Sequence, residues 1–442
     1  MMNTISFTYQ ETSTVTQEQL TRIAEPLSQE LQTMQASIEQ GYATAYAFAS
    51  VPYDTQQLIA VHTIVQEKMQ LNPTMLIVIG IGGSNLGAIA VHEALKGSLY
   101  NASNPAIKLH FADTVDANYM YDLVVLMEQE LKAGGNVLLN VISKSGTTTE
   151  TIVNFEILLT VLERYKKRSA DYCIVTTDRD SKLWQYGIKK GYTCLEIPAN
   201  VGGRYSVFTS VGLFPLALMG IDCTKLLEGA RASMEDAFNQ QFMHNNAAVR
   251  AALLYNLYKR HITIHDLFVF SKNLAGYNYW YRQLMAESLG KEFNKQGKKV
   301  NVGITPTVSI GTTDLHSVAQ LYLAGAIERF TTFVVVDKPM HDLNIPPMQD
   351  LAILIPSVEH LELATLMNTI NKGVQVAYKK KKRPFCVLEL SQLDEFTVGY
   401  LMQMHMVEIV LLGSLLQVNP FDQPNVELYK EEVRTMLMKR EQ

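Results

Sequence analysis

Between residues 74 and 197, short and almost unbroken apolar runs alternate with longer stretches whose apolar positions recur at helical spacing. The runs are Thr74–Gly80, Ile107–Ala112, Asn136–Ile142, Asp171–Thr177 and Thr193–Ile197. A strand with one wet face alternates apolar and polar residues. An unbroken run suits a strand covered on both faces, as in a parallel sheet between helices. Asn85–Lys96 and Thr149–Lys166 read as helices between these strands. A second block repeats the texture, with strands expected at Ile262–Phe270, Val300–Val308, Thr332–Val336 and Pro384–Leu388. Between the blocks, Thr224–Arg260 contains no proline and spaces Ala and Leu as a helix does, so it is expected as one helical stretch. The polar N-terminal segment and Asn425–Gln442 also read as helical. The expected architecture is α/β: two doubly wound, three-layer αβα domains with mainly parallel sheets. The divisions are a helical extension over 1–65, a first domain over 66–223, a connector over 224–260, a second domain over 261–418 and a C-terminal arm over 419–442.

Composition narrows the class. At roughly 100–200 residues per domain, a chain of 442 residues holds two to four domains. An apolar content of 47% with 18% charged residues argues against long disorder. Cys173, Cys194, Cys223 and Cys386 form no CxxC pair, which suits reduced thiols and excludes a disulfide scaffold. The net charge of −5 gives no reason to expect nucleic acid, and the basic run Lys379–Arg383 reads as a solvated turn. No secretory leader and no apolar run of about 18 residues stand out, the nearest being Val211–Ile221 with Pro215 inside it. The expectation is a cytoplasmic protein without membrane contact. His261 and His265 are four residues apart but have no third ligand nearby, so no metal is expected from them.

The chemistry concentrates where strands should end, the place where open parallel sheets bind ligands. The first strand runs into Gly80-Ile81-Gly82-Gly83-Ser84-Asn85-Leu86-Gly87, a loop that lets backbone approach a ligand at a helix N-terminus. Its spacing is neither a Walker A loop nor the dinucleotide fingerprint. The third strand runs into Ser143-Lys144-Ser145-Gly146-Thr147-Thr148-Thr149-Glu150-Thr151. One or two hydroxyls there would be helix caps; six, with a lysine, point to a phosphate monoester. Val201-Gly202-Gly203-Arg204-Tyr205-Ser206 offers Arg204 to a developing oxyanion, against the plainer reading of a surface arginine. Gln283 and Glu287 lie in an apolar helical stretch with Trp280, Tyr281, Leu284 and Met285. A carboxylate in apolar surroundings can serve as a base near neutral pH. His316 in Gly311-Thr312-Thr313-Asp314-Leu315-His316, Gln423 in Asn419-Pro420-Phe421-Asp422-Gln423, and Lys430 carry no strong signal alone.

Taken in order, these stretches resemble the glucose-6-phosphate isomerase family in its shorter bacterial form, over nearly the whole chain. The matching segments are G-G-S-N-L-G, S-K-S-G-T-T-T-E-T, V-G-G-R-Y-S, E-S-L-G-K, G-T-T-D-L-H and F-D-Q-P-N-V-E-L-Y-K. The resemblance implies two sugar-isomerase (SIS) domains and interconversion of glucose 6-phosphate and fructose 6-phosphate without redox cofactor or metal. It implies that Gly83, Ser84, Ser143, Lys144, Ser145 and Thr148 contact the sugar and its phosphate. Gln283 and Gln423 are implied as further contacts, Glu287 as the base moving a proton between C2 and C1, and Arg204 as the group beside the enediolate. His316 and Lys430 are implied in ring opening, with His316 reaching a neighbouring subunit's site in a homodimer or higher oligomer. Ser145-Gly146 departs from the threonine-aromatic pair of the animal enzymes but keeps the hydroxyl. A non-catalytic sugar-phosphate sensor, a related mannose- or amino-sugar-phosphate isomerase and a dehydrogenase stand as rivals. The first would not need Glu287, and the last is disfavoured by the glycine spacing.

Overall fold

The structure, a computed structural model, describes residues 4–239, 241–355 and 358–439. Two five-stranded sheets organise it. In the first, β2 (Met75–Ile79), β3 (Lys108–Ala112), β4 (Val137–Ile142), β5 (Cys173–Thr177) and β6 (Thr193–Glu196) lie in the order β3-β2-β4-β5-β6, all parallel. Every residue of β2, β4 and β5 is buried, so the unbroken apolar runs have their expected cause.

The second sheet comprises β1 (Ile5–Thr8), β7 (Ile264–Val269), β10 (Thr305–Ile310), β11 (Arg329–Lys338) and β12 (Phe385–Gln392), ordered β1-β12-β11-β7-β10. It is parallel except for β1, which pairs antiparallel with β12 from Ile5↔Leu390 to Thr8↔Val387. The N-terminal segment is therefore not wholly helical: its first described residues complete a sheet whose other strands begin about 260 residues later.

Three further expectations are corrected. Val300–Val308 is two strands rather than one. Lys299–Val302 (β9) forms an antiparallel ribbon with Lys291–Phe293 (β8), and only after Gly303-Ile304 does β10 enter the sheet. Thr224–Arg260 is likewise two helices, Cys223–Asn239 and Asn246–Tyr258. The second is capped by Asn245, whose side chain accepts from Ala248 N–H. The absence of proline and glycine suggested continuity, although the Asn245-Asn246 pair is a helix-start signal.

The third correction concerns the longest apolar element. Glu395–Leu415 is a 21-residue helix, long and apolar enough to cross a bilayer, where the sequence pattern had singled out only Val211–Ile221. Here 89% of its most apolar window is buried inside the protein, making it a core helix. It crosses Cys223–Asn239 at backbone contact: a Cβ on Gly229 would fall 1.9 Å from the Phe396 carbonyl oxygen, and one on Gly399 2.0 Å from that of Leu226. The segment between the two α/β blocks is thus part of the core.

Candidate active site

The glycine-rich loop after β2 makes a tight turn, Gly82–Ser84, and leads into the helix Leu86–Lys96. Gly83 lies against Gly203, where a Cβ would come within 2.2 Å of the Gly203 carbonyl carbon. Ser206 Oγ donates to the Gly83 carbonyl at 3.2 Å. Two glycine pairs far apart in sequence therefore form one layer, and this approach places Arg204 beside the end of the first sheet.

The hydroxyl-rich loop leaves β4, the neighbour of β2. Thr148 is the N-cap of the helix Thr149–Tyr165, yet its side chain makes no capping bond. Its Oγ1 is instead 2.9 Å from Ser143 Oγ. Ser145 Oγ accepts from Thr147 N–H and Oγ1–H, both at 3.3 Å. From behind, Thr177 Oγ1 donates to the Ser143 carbonyl at 2.5 Å. The hydroxyls are held by one another and by the sheet, so the helix's first turn keeps its N–H groups for an anion. Burial pushes the half-buried Lys144 ammonium below its ordinary range, partly opposed by Asp178.

Arg204 is not a surface arginine: it is 2% exposed. Its Nε donates to Ser288 Oγ at 2.8 Å, and Nη1 to Gln423 Oε1 at 2.7 Å and Glu287 Oε2 at 3.2 Å. Nη2 donates to the carbonyls of Pro420 at 2.6 Å and Asp422 at 3.1 Å. All five guanidinium donor positions are engaged, so Arg204 is locked in place as a fixed positive charge.

Glu287 lies on the helix Ala275–Leu289. Its surroundings are polar, contrary to the apolar setting expected. Trp280, Tyr281, Leu284 and Met285 point into the core, while the Glu287 side chain keeps 32% exposure. Gln283, one turn earlier, donates from Nε2 to Glu287 Oε1 at 3.0 Å while Arg204 binds Oε2. Gln283 also closes the gap to the glycine loop, since its Nε2 would sit 3.0 Å from a Cβ on Gly82.

The structure thus brings Gly83, Arg204, Gln283, Glu287 and Gln423 into one cluster. Ser84 and the Ser143–Thr148 loop border it from the ends of adjacent strands. It does not bring in His316 or Lys430. His316 is exposed on Thr313–Ser317, and its side chain has no hydrogen-bond partner among the described residues. Lys430 Nζ pairs with Glu427 Oε1 at 2.6 Å on the helix Pro424–Met438.

Sequence reasoning missed Lys291. This buried residue donates to the Glu287 carbonyl at 2.9 Å and to the Asp422 carbonyl, and it pairs with Asp422 Oδ1 at 2.9 Å. It joins the helix of Glu287 to the loop that presents Gln423. The lysine closing E-S-L-G-K was the available signal. His265 is a core residue, bonded to Thr332 Oγ1 at 2.8 Å and Tyr281 OH at 3.1 Å. Among the described residues no group of three or more His, Cys, Asp or Glu is placed to share a metal.

A doubly wound pair of αβα domains, with a hydroxyl-rich helix-start loop beside an arginine-held carboxylate, defines a sugar isomerase of the SIS-domain class. The family model for phosphoglucose isomerase matches residues 68–442. The glucose-6-phosphate isomerase of Carboxydothermus hydrogenoformans is 32% identical over 396 residues, covering 88% of this chain and 84% of that one. That of Listeria monocytogenes is 34% identical over 399 residues, covering 88% and 85%. The chain belongs to the phosphoglucose isomerase family. Among solved structures, a hypothetical protein of Thermus thermophilus superposes with a TM-score of 0.84 at 29% identity, covering 95% of this chain and 96% of that one. The glucose-6-phosphate isomerase of Chlamydia trachomatis has the same fold, with a TM-score of 0.84 at 19% identity, covering 100% and 90%.

Proposed function

We propose that Glu287 carries the proton between C2 and C1 as this aldose–ketose isomerase interconverts glucose 6-phosphate and fructose 6-phosphate, the reaction of its family. The observation that carries the assignment is the clamp on Glu287: Gln283 holds Oε1, Arg204 holds Oε2, and a third of the side chain remains open. A carboxylate so fixed can take the C2 proton from one face of an open-chain sugar and return it to C1. The charge left on the O1–C1–C2–O2 unit is an enediolate. The locked guanidinium of Arg204 stabilises it without reorganising during the reaction.

In this reading Ser143, Lys144, Ser145 and Thr148 bind the phosphate, with Gly83, Ser84, Gln283 and Gln423 as neighbouring contacts. That grip supplies binding energy remote from the reacting carbons. His316 opens the ring in the site of a neighbouring subunit, with Lys430 assisting. Two observations support a homo-oligomer: the His316 side chain is exposed without a partner among the described residues, and the helix Pro424–Met438 buries none of its residues while Leu428, Met436 and Met438 stand more than 60% exposed. The same reading places the enzyme in the cytoplasm, in glycolysis and gluconeogenesis, working without a metal.

The test is Glu287→Gln, which preserves shape and removes the base. The expected loss in kcat is about 10²–10⁴-fold. KM should be little changed, and exchange of the C2 proton with deuterium should stop although the ring still opens. Near-normal C2 exchange would overturn the assignment. Mixing Glu287→Gln with His316→Ala protein should restore part of the activity once subunits exchange. No recovery after demonstrated exchange would place His316 in its own subunit's site.

A further inference from the structure

The catalytic cluster uses the end of the first sheet and leaves the corresponding end of the second. In an open α/β sheet, ligand crevices form beyond the carboxyl ends of the strands, where strand order reverses. In the second sheet that point lies between β7 and β11, because the chain passes from β7 to β10 on one side and then to β11 and β12 on the other. A cavity of about 550 Å³ opens there, and no member of the Arg204–Glu287 cluster lines it. Its floor is apolar, with Phe270, Met367 and Leu393. Its rim carries Lys96, Lys272 and His341, exposed residues from three separate segments. Among the described residues none of these three side chains makes a salt bridge or hydrogen bond. Asp342, the carboxylate on the same rim, is already engaged: its Oδ1 accepts from Leu343 N–H at 2.8 Å and Ala364 N–H at 3.2 Å.

We propose that this cavity is a regulatory site for a small organic phosphomonoester, its apolar body on the floor and its phosphate held by Lys96 and Lys272. Basic side chains converging from separate segments suit a dianion, and the apolar floor excludes a bare phosphate as the preferred ligand. The position couples the cavity to catalysis. Lys96 ends the helix that starts next to Ser84, about 16 Å away along 11 residues. Lys272 opens the turn leading into Ala275–Leu289, the helix of Gln283 and Glu287. Glu93 fastens the two helices by accepting from Gly276 N–H at 2.8 Å. A ligand drawing Lys96 and Lys272 together acts on the relative position of both helices, and therefore on Ser84 against Glu287.

The experiment titrates 1-naphthyl phosphate into the full-length protein, with saturating fructose 6-phosphate present and naphthyl fluorescence as the readout. One site per chain is expected, with 1-naphthol and inorganic phosphate each bound at least about tenfold more weakly. Lys96→Met/Lys272→Met, and separately Ala364→Phe to fill the cavity, should each weaken the probe at least about tenfold. Neither variant should change KM when the probe is absent. In the unsubstituted enzyme the probe should shift KM for fructose 6-phosphate by at least about fivefold. Unchanged probe affinity in both variants, or an apparent probe Kd that keeps rising in proportion to fructose 6-phosphate instead of levelling off, would overturn the site. Binding with no shift in KM would overturn its regulatory role.

Discussion

The two sheets share a plan but not an interior. The core around the first sheet is built from β2, β4 and β5, with Leu, Ile and Val facing helices on both sides. The second sheet buries a charged network. Arg250 and Glu408 pair at 2.7 Å, with side chains 1% and 0% exposed. His405 Nδ1 lies 2.7 Å from the same Glu408 oxygen, and Tyr281 OH donates to Glu408 Oε1 at 3.4 Å while approaching His265 Nδ1 at 3.1 Å. Burial raises the Glu408 carboxyl, but Arg250 and His405 outweigh it and hold the group below the usual carboxylate range. A closed apolar core fixes distances between elements and tolerates small rotations within them. A hydrogen-bonded network also fixes the rotation of a helix about its axis. Tyr281 lies on the helix that presents Gln283 and Glu287, so the polar core lies under the element that carries the proposed base.

The contrast can be broken most severely at Glu408. Glu408→Leu strands Arg250 without its anion, and the expected loss of unfolding free energy is about 3–5 kcal/mol in denaturant titration. The kcat of the surviving folded protein should fall as well, because Tyr281 loses an acceptor. In the first core, Leu139→Ala removes a fully buried side chain from β4 and should cost about 2–4 kcal/mol by leaving a cavity. It should leave kcat near that of the parent. Equal kcat losses in the two variants would end the distinction.

A smaller effect comes from pH. Burial, reinforced by Arg250, pushes His265 down to about 3, so the folded protein keeps it neutral. The unfolded chain takes up that proton below about pH 6.5. Between roughly pH 6.5 and 3 the unfolded state binds more protons, so stability falls as the solution is acidified. His265 contributes up to about 1.4 kcal/mol per pH unit to that slope. His265→Gln should flatten the slope by up to that amount between about pH 6 and 4, while Leu139→Ala should leave it unchanged.

The smallest prediction separates two helix starts within the first block. Ser181 caps Lys182–Lys190 by accepting from Trp184 N–H at 3.0 Å, and Ser181→Ala should cost about 1 kcal/mol. Thr148 occupies the same position on its helix but does not cap it, so Thr148→Ala should change stability by only a few tenths of a kcal/mol. Its effect should appear in KM. A full capping loss at Thr148 would remove the hydroxyl from the phosphate reading.

The first sheet was legible because its strands are consecutive and doubly buried, and every predicted run overlaps a strand within two residues at each end. The second was less so. β1 is only four residues long and half-exposed, and it acquires a partner from the far end of the chain, which no local pattern records. Glu395–Leu415 is hard to see because Gln403, His405 and Glu408 interrupt its apolar run, and all three are buried among their own partners. In the site, residue type and loop position pointed to Arg204 and Glu287, while Gln283 and Gln423 entered only through the family resemblance. The acceptors fixing Arg204 include the carbonyls of Pro420 and Asp422. Backbone acceptors carry no signature in the side-chain alphabet, so that half of the clamp was invisible.

The pairing of β1 with β12 also sets a clock. The five strands of the first sheet leave the ribosome within one stretch of about 120 residues and can pair soon afterwards. Ile5–Thr8 must wait for Phe385–Gln392, about 380 positions later. At about 5–20 residues per second that delay is roughly 20–80 s. Throughout it the N-terminal strand has no edge to join, and closing so long a loop is the slow kind of contact. The second sheet is therefore the last part of the molecule to be completed during synthesis, and the nascent chain holds a finished hydroxyl-rich loop well before it has an intact core beneath Glu287.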